Sequence, residues 1–402
     1  MPNIDLFSPT ALADPYPVLE ELRAAGDVHF LPDQQLYVVL GFEAIRAVLA
    51  DPQTFSSNLV AVLTSTSEES ATVATAGSVD VLATADPPVH TAHRALVMPQ
   101  FGPRAVAELT AMIDEAVTPA VAELVAAGGG DWMRMVAHRV PVEVIGQLIG
   151  LPREDREQLA AWSDAAIELV SGVATPERAG QATLAVGQFA QYLGESLDHA
   201  RSASGTKVLG TIAAAIAAGA LPRDQGAILL LQLVTAGAES TTSLLGTTVR
   251  LLAQDPQLQQ SVRSEPGRIG ALVEEAVRVE SPFRGHFRVT TRPTRLTGVP
   301  LDEGARVMLL WGASNRDPRV FEHPECVDLD RAQPTRHHSF GRGIHFCLGA
   351  HLARKETIQA VRTLLDTTRA VDLVPGDPAY VPSLIVRRLA PTITSRRGMK
   401  DA

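Results

Sequence analysis

A long segment in the middle of the chain, from Arg223 to about Ala253, restricts the possible folds most, because it is apolar on almost every side. A helix without a polar face has to be buried, so we expect one long helix through the interior of the protein. Its most apolar stretch, Ala227 to Val234, is much shorter than the roughly 20 residues that span a bilayer. The segment therefore predicts a core helix and no membrane span.

The rest of the chain shows helical and strand-like patterns, which predict a mainly α fold with a smaller β-rich part. The helical part covers about 88–280 and 350–366, and the β-rich part covers about 28–40, 287–310 and 370–395. Between Ser56 and Ala85 neither period is clear, so we expect a long loop with at most one short helix. No linker or repeat divides the chain, and 1–402 is predicted to be a single domain.

Charge and cysteine usage exclude several classes of protein. The chain has 35 Lys and Arg against 45 Asp and Glu, a net charge of −10, which argues against binding to nucleic acid or to an anionic membrane surface. Two cysteines are too few for a disulfide framework or a four-cysteine zinc site. The first residues contain neither a basic leader nor an apolar segment, so we expect no signal peptide and a cytoplasmic location.

One of the two cysteines, Cys347, lies in a glycine-rich loop directly before a predicted helix. Glycines allow tight turns of the backbone, and the amides at the start of a helix are expected to lower the pKa of the thiol. Such a thiolate could be a nucleophile, a redox thiol, a zinc ligand or an axial haem ligand. The other cysteine, Cys326, fits an inert buried residue.

Residues elsewhere in the chain help to choose between these roles. Zinc lacks the second cysteine of the usual paired spacing, and a nucleophile would depend on His345 as its base. Haem needs cations for two propionates, and His90 and Arg94 are spaced to share a helix face. In the central helix, Glu239 places a carboxyl group beside small residues, and buried carboxyl groups are rare.

Several motifs together resemble those of the bacterial cytochrome P450 superfamily, the soluble haem-thiolate monooxygenases. The pattern F-x-x-G-x-x-x-C-x-G is matched at Phe340, Gly343, Cys347 and Gly349, and E-x-x-R at Glu275 and Arg278. The pattern D-P-P-x-H-T-x-x-R covers Asp86 to Arg94, and S-N-R-D-P covers Ser314 to Pro318. The resemblance implies the P450 fold, with haem between a large helical part around the central helix and the β-rich subdomain.

The same resemblance implies a role for each matching residue. Cys347 would be the axial ligand of haem b, whose thiolate favours O–O cleavage. The propionates would bind His90, Arg94, Arg288 and His345, and the haem would also contact Phe340, Gly341, Ala236 and Gly349. Glu275, Arg278 and Arg331 would support the cysteine loop. Glu239, Ser240 and Thr241 would handle dioxygen and protons, with Ser240 where the family usually has threonine.

The resemblance also implies substrate and partners. Gln232, Thr235, Phe283, Arg284 and Leu384 are predicted to line a pocket for a mid-sized lipophilic molecule to be hydroxylated or epoxidised. Two interpretations remain for Arg284, an anchor for a polar group of the substrate or, preferred slightly, an addition to the propionate cluster.

Electrons would come from a separate ferredoxin and its NAD(P)H-dependent reductase, which a basic patch of Arg104, Arg342, Arg354 and Lys355 would bind. We expect a monomer. The alternatives are a peroxide-driven peroxygenase and a haem-binding sensor without catalysis.

Overall fold

A computed structural model describes residues 5–67, 70–76, 80–171, 174–200, 207–373, 380–381, 383, 385–389 and 393–395. In these ranges the α-helices are α1 Pro9–Ala13, α2 Tyr16–Ala25, α3 Phe42–Ala50, α4 Val89–Phe101, α5 Pro103–Glu108, α6 Thr110–Ala126, α7 Arg139–Ile149, α8 Arg156–Ser171, α9 Pro176–Ala200, α10 Val208–Ala217, α11 Arg223–Gln254, α12 Pro256–Ser264, α13 Ile269–Val279, α14 Trp311–Asn315 and α15 Ala350–Thr367. The strands are β1 Val28–Leu31, β2 Leu36–Val39, β3 Phe55–Ser56, β4 Val60–Ser67, β5 Ser70–Ala76, β6 Gly129–Asp131, β7 Gly285–Thr290, β8 Thr294–Leu296, β9 Val299–Leu301, β10 Arg306–Leu310, β11 Asp372–Leu373 and β12 Ile393–Ser395.

The helix α11 forms the centre of the helical part, as predicted. Its 32 residues extend about 48 Å at 1.5 Å per residue. It packs against α7, α8, α9, α13 and α15, and most of its residues are buried. By length and composition alone α11 could cross a membrane, contrary to the expectation from its short apolar stretch, but most of its apolar window is buried against the other helices. Burial therefore identifies α11 as a core helix.

The largest sheet has the strand order β1-β2-β10-β7-β3. The pair β2 and β10 is parallel, while the other neighbours are antiparallel. Apolar residues on its two faces form two separate small cores, whereas the helices share one large core. A mainly helical fold with a smaller β-rich part is thus confirmed, with strands in the regions predicted around 28–40 and 287–310.

The segment between Ser56 and Ala85 differs from the predicted loop. It contains an antiparallel hairpin of β4 and β5 and a short 3-10 turn at Leu82–Thr84. Valine and threonine are frequent in both strands and favour extended backbone. The two strands of a hairpin pair their backbone amides and carbonyls with each other, so a hairpin can form without a regular alternation of apolar and polar residues. The loop prediction had rested on the absence of that alternation.

The short helix α1 is joined to two distant segments through its last carbonyl groups. Arg284 donates to the carbonyl oxygens of Ala11 and Leu12, and Arg387 donates to that of Ala13 over 3.1 Å. Cationic side chains at the carboxyl end of a helix satisfy free carbonyls and favour its dipole. The N-terminal helix is therefore held by side chains from the second half of the chain.

Candidate active site

A cavity lies between α4, α11, α15 and the loop that precedes α15. Apolar side chains provide much of its wall, among them Leu233 and Leu244 from α11. Most of the predicted site residues line this cavity, namely His90, Arg94, Gln232, Ala236, Ser240, Thr241, Phe283, Arg288, Phe340, Gly341, His345, Cys347 and Gly349. The fold thus brings together residues that are more than 250 positions apart in the sequence.

The loop before α15 presents Cys347 to the cavity. Its backbone turns at Gly341 and Gly343, which have φ angles of 65° and 69°. A Cβ atom on Gly343 would lie 2.8 Å from the carbonyl oxygen of Leu49, so a larger residue would force the loop away from α3. The Cys347 amide donates to the Phe340 carbonyl over 2.8 Å, which closes the loop.

The surroundings of the two cysteines bear on two predictions. The amides of Gly349 and Ala350 at the start of α15 lower the pKa of the Cys347 thiol, as expected from the sequence, whereas desolvation acts in the opposite direction and raises it. Cys326 is exposed rather than buried, and its carbonyl accepts a hydrogen bond from Arg278 over 2.7 Å.

Beneath the cysteine loop, Glu275 and Arg278 form a fully buried ion pair. Arg331 donates to the same carboxylate over 3.0 Å, as the resemblance implied. Burial alone would raise the pKa of Glu275, but hydrogen bonds from Arg278 and Arg331 hold it below its usual range. Arg278 also donates to the carbonyls of Asn315 and Pro324. The network joins α13 to the segment between α14 and the cysteine loop.

The neighbouring Glu274 does not compete for Arg278. Its carboxylate contacts His337 over 3.1 Å and pairs with Arg354, whose guanidinium lies 4.2 Å from the centroid of the Phe340 ring. Burial opposes ionisation of Glu274, but these two partners lower its pKa to about 2. Of the predicted basic patch, Arg354 is paired with Glu274, Arg104 lies 3.9 Å from Glu108, Arg342 lines the cavity, and Lys355 donates to the Ala107 carbonyl, so the patch stays a prediction.

A cationic wall, formed by His90, Arg94, Arg288 and His345, faces the cavity. The rings of His90 and His345 lie 4.2 Å apart, and their Nε2 atoms are buried without a hydrogen-bond partner. Burial, reinforced by Arg288, lowers the pKa of His345 to about 3, and burial lowers that of Arg288 to about 10. At neutral pH His345 is therefore uncharged, while Arg288 carries a positive charge that Asp86 partly offsets.

Haem fits this cavity by its donor groups and by charge. Unpartnered donors on the cationic wall suit two propionate groups, since buried cations and donors require acceptors. Cys347 offers a sulfur ligand in the same cavity. Among the described residues of the wall, Glu356 carries the only carboxyl group, and burial raises its pKa well above the usual value. Sequence reasoning missed Glu356, whose position on α15 carries no motif.

The acid and hydroxyl residues of α11 point in different directions. Ser240 and Thr241 line the cavity, and the Ser240 hydroxyl donates to the Ala236 carbonyl over 2.7 Å. Glu239 is turned away from the cavity and accepts from Arg388 over 3.3 Å. Burial raises the pKa of Glu239 to about 7. Sequence reasoning also missed Arg388, because its contact with Glu239 spans 149 positions.

Two other pocket predictions are corrected, one on α11 and one at the residue before β7. Thr235 does not line the cavity, because it precedes Ala236 and is turned about 100° from it around the helix. Arg284 belongs neither to a substrate contact nor to the propionate cluster, since its guanidinium donates to the carbonyls of α1 instead. Leu384 lies outside the described residues.

Comparisons with known proteins agree with this geometry. The cytochrome P450 family model matches residues 212–371. The chain is 38% identical over 387 residues to "Cytochrome P450 144" of Mycobacterium tuberculosis, covering 95% of this chain and 89% of that protein. It is 32% identical over 397 residues to cytochrome P450 monooxygenase PikC of Streptomyces venezuelae, covering 96% and 92%. A solved structure, cytochrome P450 CREJ in complex with (4-ethylphenyl) dihydrogen phosphate, superposes with a TM-score of 0.89 at 26% identity, covering 98% and 99%.

These similarities extend over nearly the whole chain and include the residues around the cavity. They imply haem b with a cysteine thiolate as axial ligand and the activity of a P450 monooxygenase. The resemblance inferred from the motifs is confirmed: the chain belongs to the cytochrome P450 family.

Proposed function

We propose that this protein hydroxylates or epoxidises a mid-sized lipophilic molecule with electrons from a separate ferredoxin and its NAD(P)H-dependent reductase. The observation that carries the proposal is one apolar cavity that contains a thiol, the cationic wall and two hydroxyl groups of α11. We propose further that the protein is a single-domain cytoplasmic monomer.

In this proposal Cys347 is the axial ligand, and the cationic wall of His90, Arg94, Arg288 and His345 binds the propionates. When bound, the haem supplies an iron centre that activates dioxygen. The guanidinium of Arg94 already donates to the Phe346 carbonyl over 2.7 Å, which holds the arginine against the cysteine loop. The network of Glu275, Arg278 and Arg331 keeps that loop in place.

Proton supply is assigned to α11. Glu239, with a pKa raised to about 7 by burial, holds a proton for part of the time near neutral pH. Ser240 and Thr241 contribute hydroxyl groups to the cavity, where they can donate and accept hydrogen bonds. The serine lacks the methyl group of threonine, so its hydroxyl is less restricted in rotamer than the one usually found in the family.

Substrate class is inferred from the wall of the cavity. Leu82, Leu233, Leu244 and Phe283 present apolar surface to it, which favours a lipophilic ligand. The side chain of Gln232 accepts from the Ala83 amide over 3.2 Å, so a polar group is fixed at one end of this surface. A hydroxyl or carbonyl group on an otherwise apolar substrate would suit this arrangement.

Two other functions remain as alternatives and are separated by experiment. A peroxygenase would use peroxide in place of dioxygen and ferredoxin, and a haem-binding sensor would turn over neither. The Glu239 and Ser240 pair favours the monooxygenase, because a peroxygenase does not require protons to be delivered to dioxygen. Turnover of a lipophilic substrate panel with ferredoxin, reductase and NAD(P)H is compared with turnover by peroxide alone. Product formation only with peroxide would overturn the proposal.

Ligation by Cys347 has its own test. The ferrous-carbonyl spectrum of the wild-type protein should have the position typical of thiolate ligation, and Cys347→Ser should lose it. Cys326→Ser is the matched control, since Cys326 lies outside the cavity wall. A thiolate-type spectrum that survives Cys347→Ser would contradict the assignment.

A further inference from the structure

A histidine in the wall of the cavity is held in place by the pairing of two strands. His286 lies in β7 opposite Leu309 of β10. The chain continues from β10 directly into Trp311, whose amide donates to the Arg284 carbonyl over 2.9 Å. The indole Nε1 of Trp311 donates to Nδ1 of His286 over 2.9 Å, and the centroids of the two rings lie 5.6 Å apart. The sheet and the indole together fix the orientation of the imidazole.

The hydrogen bond from Trp311 determines which ring nitrogen of His286 carries the proton. An indole N–H can only donate, so Nδ1 has to accept, and the proton of the neutral imidazole lies on Nε2. Desolvation by the surrounding protein, together with the charge of Arg288, lowers the pKa of His286 to about 4, which keeps the ring neutral near pH 7. His286 thus offers the cavity one N–H donor and no acceptor.

His286 also lies next to the apolar wall of the cavity. It shares a face of β7 with Arg288, because side chains two residues apart in a strand point to the same side, and both residues line the cavity. Two residues of a strand span about 7 Å, so the imidazole is displaced along β7 from the guanidinium. The ring of Phe283, another wall residue, lies 5.2 Å from the imidazole between centroids. The donor is therefore placed beside the surface that an apolar ligand would contact.

The Nε2 donor of His286 has no partner within the described part of the chain, where its ring bonds to Trp311 through Nδ1. The propionates have donors of their own, since the Nε2 atoms of His90 and His345 are buried without a partner and Arg288 faces the same cavity. A donor that is covered by a ligand without receiving an acceptor costs free energy. Once an apolar ligand displaces water, the acceptor for His286 has to come from that ligand.

We propose that His286 is a specificity-determining residue, whose Nε2–H binds an acceptor oxygen of the substrate, and that Trp311 is the positioning residue that fixes its tautomer. The inference rests on the function proposed above and narrows its substrate class to lipophilic molecules with a carbonyl, ester or ether oxygen. A molecule of the same shape without that oxygen leaves the donor unpaired and binds more weakly. A group that can only donate hydrogen bonds is disfavoured at this position for the same reason.

The test compares matched pairs of ligands on the haem-loaded protein without an electron donor. Each pair consists of a ketone and the alkene in which a methylidene group replaces the carbonyl oxygen, namely cyclododecanone with methylidenecyclododecane and adamantanone with methylideneadamantane. Dissociation constants are measured by equilibrium dialysis and by titration of the haem spin state. The net value of one neutral hydrogen bond corresponds to about three- to tenfold in affinity, so at least one ketone should bind tighter than its alkene by about that factor.

Variants separate the donor from the shape of the cavity. His286→Phe should bring the ratio of the two dissociation constants close to one, whereas His286→Gln, which keeps an N–H donor, should retain part of the preference. Phe283→Leu is the matched control, because it changes the adjacent apolar wall and should alter both affinities without changing their ratio. Trp311→Phe should reduce the preference and allow both tautomers of His286. Ring-nitrogen chemical shifts of isotope-labelled histidine in the diamagnetic ferrous-carbonyl protein report the tautomer, with His286→Phe used for assignment.

Three results would overturn the assignment of His286. One is a wild-type protein that binds no ketone tighter than its alkene, including the case in which neither compound of any pair binds. Another is an unchanged ratio in His286→Phe, and the third is a loss of haem in that variant with the ratio retained, which would assign the donor to a propionate. If the wild-type protein prefers the ketones but forms no product with any electron donor, the proposed function fails and the assignment of His286 as a ligand donor stands.

Discussion

Single side chains of this protein differ in whether they face the cavity, and that difference determines what each can do. Ser240 and Glu239 are adjacent in sequence, but the first lines the cavity and the second contacts Arg388. Arg284 and Arg288 are four residues apart, but only Arg288 lines the cavity. A residue's role in this family therefore depends on its direction as well as on its position in a motif.

Replacing Ser240 by Ala should increase the fraction of electrons lost to peroxide, because the cavity then loses one hydroxyl group. Peroxide formed and product formed per NAD(P)H consumed are the measurements. Ser240→Thr is the control and should couple at least as well as the wild-type protein, since it keeps the hydroxyl and restricts its rotamer. Unchanged peroxide in Ser240→Ala would indicate that Thr241 supplies the hydroxyl.

Replacing Arg284 by Leu should lower stability and leave the active site intact. The variant loses the donors to the carbonyls of Ala11 and Leu12, at a cost of about 1–3 kcal/mol in the free energy of unfolding. Haem content and the binding of acidic ligands should remain unchanged. Arg288→Leu serves as the contrast, because it removes a cation from the cavity and should reduce haem content. If Arg284→Leu selectively lost the binding of acidic ligands, Arg284 would have to be assigned to the substrate pocket instead.

At the scale of elements, α13 determines how the cysteine loop is held. The fully buried pair Glu275 and Arg278 lies on this helix, and its hydrogen bonds reach Arg331 and the backbone before the loop. Breaking a buried ion pair costs more than the pair itself contributes, because an uncompensated charge remains.

Glu275→Gln should accordingly destabilise the protein by about 3–5 kcal/mol, since Arg278 and Arg331 would keep their charges without a carboxylate. Chemical unfolding measures the change. Glu265→Gln, at the exposed end of α12, is the control and should be nearly neutral. If the free energy of unfolding of Glu275→Gln fell by less than about 1 kcal/mol, water would have replaced the carboxylate as the partner of the two arginines.

Sequence reasoning succeeded where a local pattern carries the information. The all-round apolar character of α11 predicted a central helix, and the glycine-rich loop around Cys347 identified the candidate ligand. Sequence reasoning failed where contacts between distant parts of the chain determine the structure. The contact of Glu239 with Arg388 joins segments 149 positions apart, and no local sequence pattern near either residue predicts it. The hairpin of β4 and β5 was missed because its strands lack apolar alternation.

At the scale of the whole molecule, buried carboxylates with lowered pKa values set the limit of acid stability. Glu274 has a pKa of about 2, against 4.5 ordinarily, because of its contacts with His337 and Arg354. As the pH falls, the unfolded chain takes up this proton first, so the stabilisation is complete above about pH 4.5 and is lost towards pH 2.

Wild-type stability should therefore decrease between about pH 4.5 and 2, with Glu274 contributing on the order of 3 kcal/mol. Glu274→Gln should be less stable at neutral pH and should show a weaker pH dependence in that range. Unfolding by denaturant at several pH values provides the measurement, with exposed Glu108→Gln as the control. Parallel pH profiles for the wild-type protein and Glu274→Gln would contradict the assignment.

The contacts of α1 also affect when this helix can reach its native structure while the chain is being synthesised. The Ala13 carbonyl accepts from Arg387, which the ribosome adds 374 residues later. Arg284, the partner of Ala11 and Leu12, is also made long after this helix. A five-residue helix is marginal without such partners, so α1 is among the first segments synthesised and among the last to acquire its native contacts.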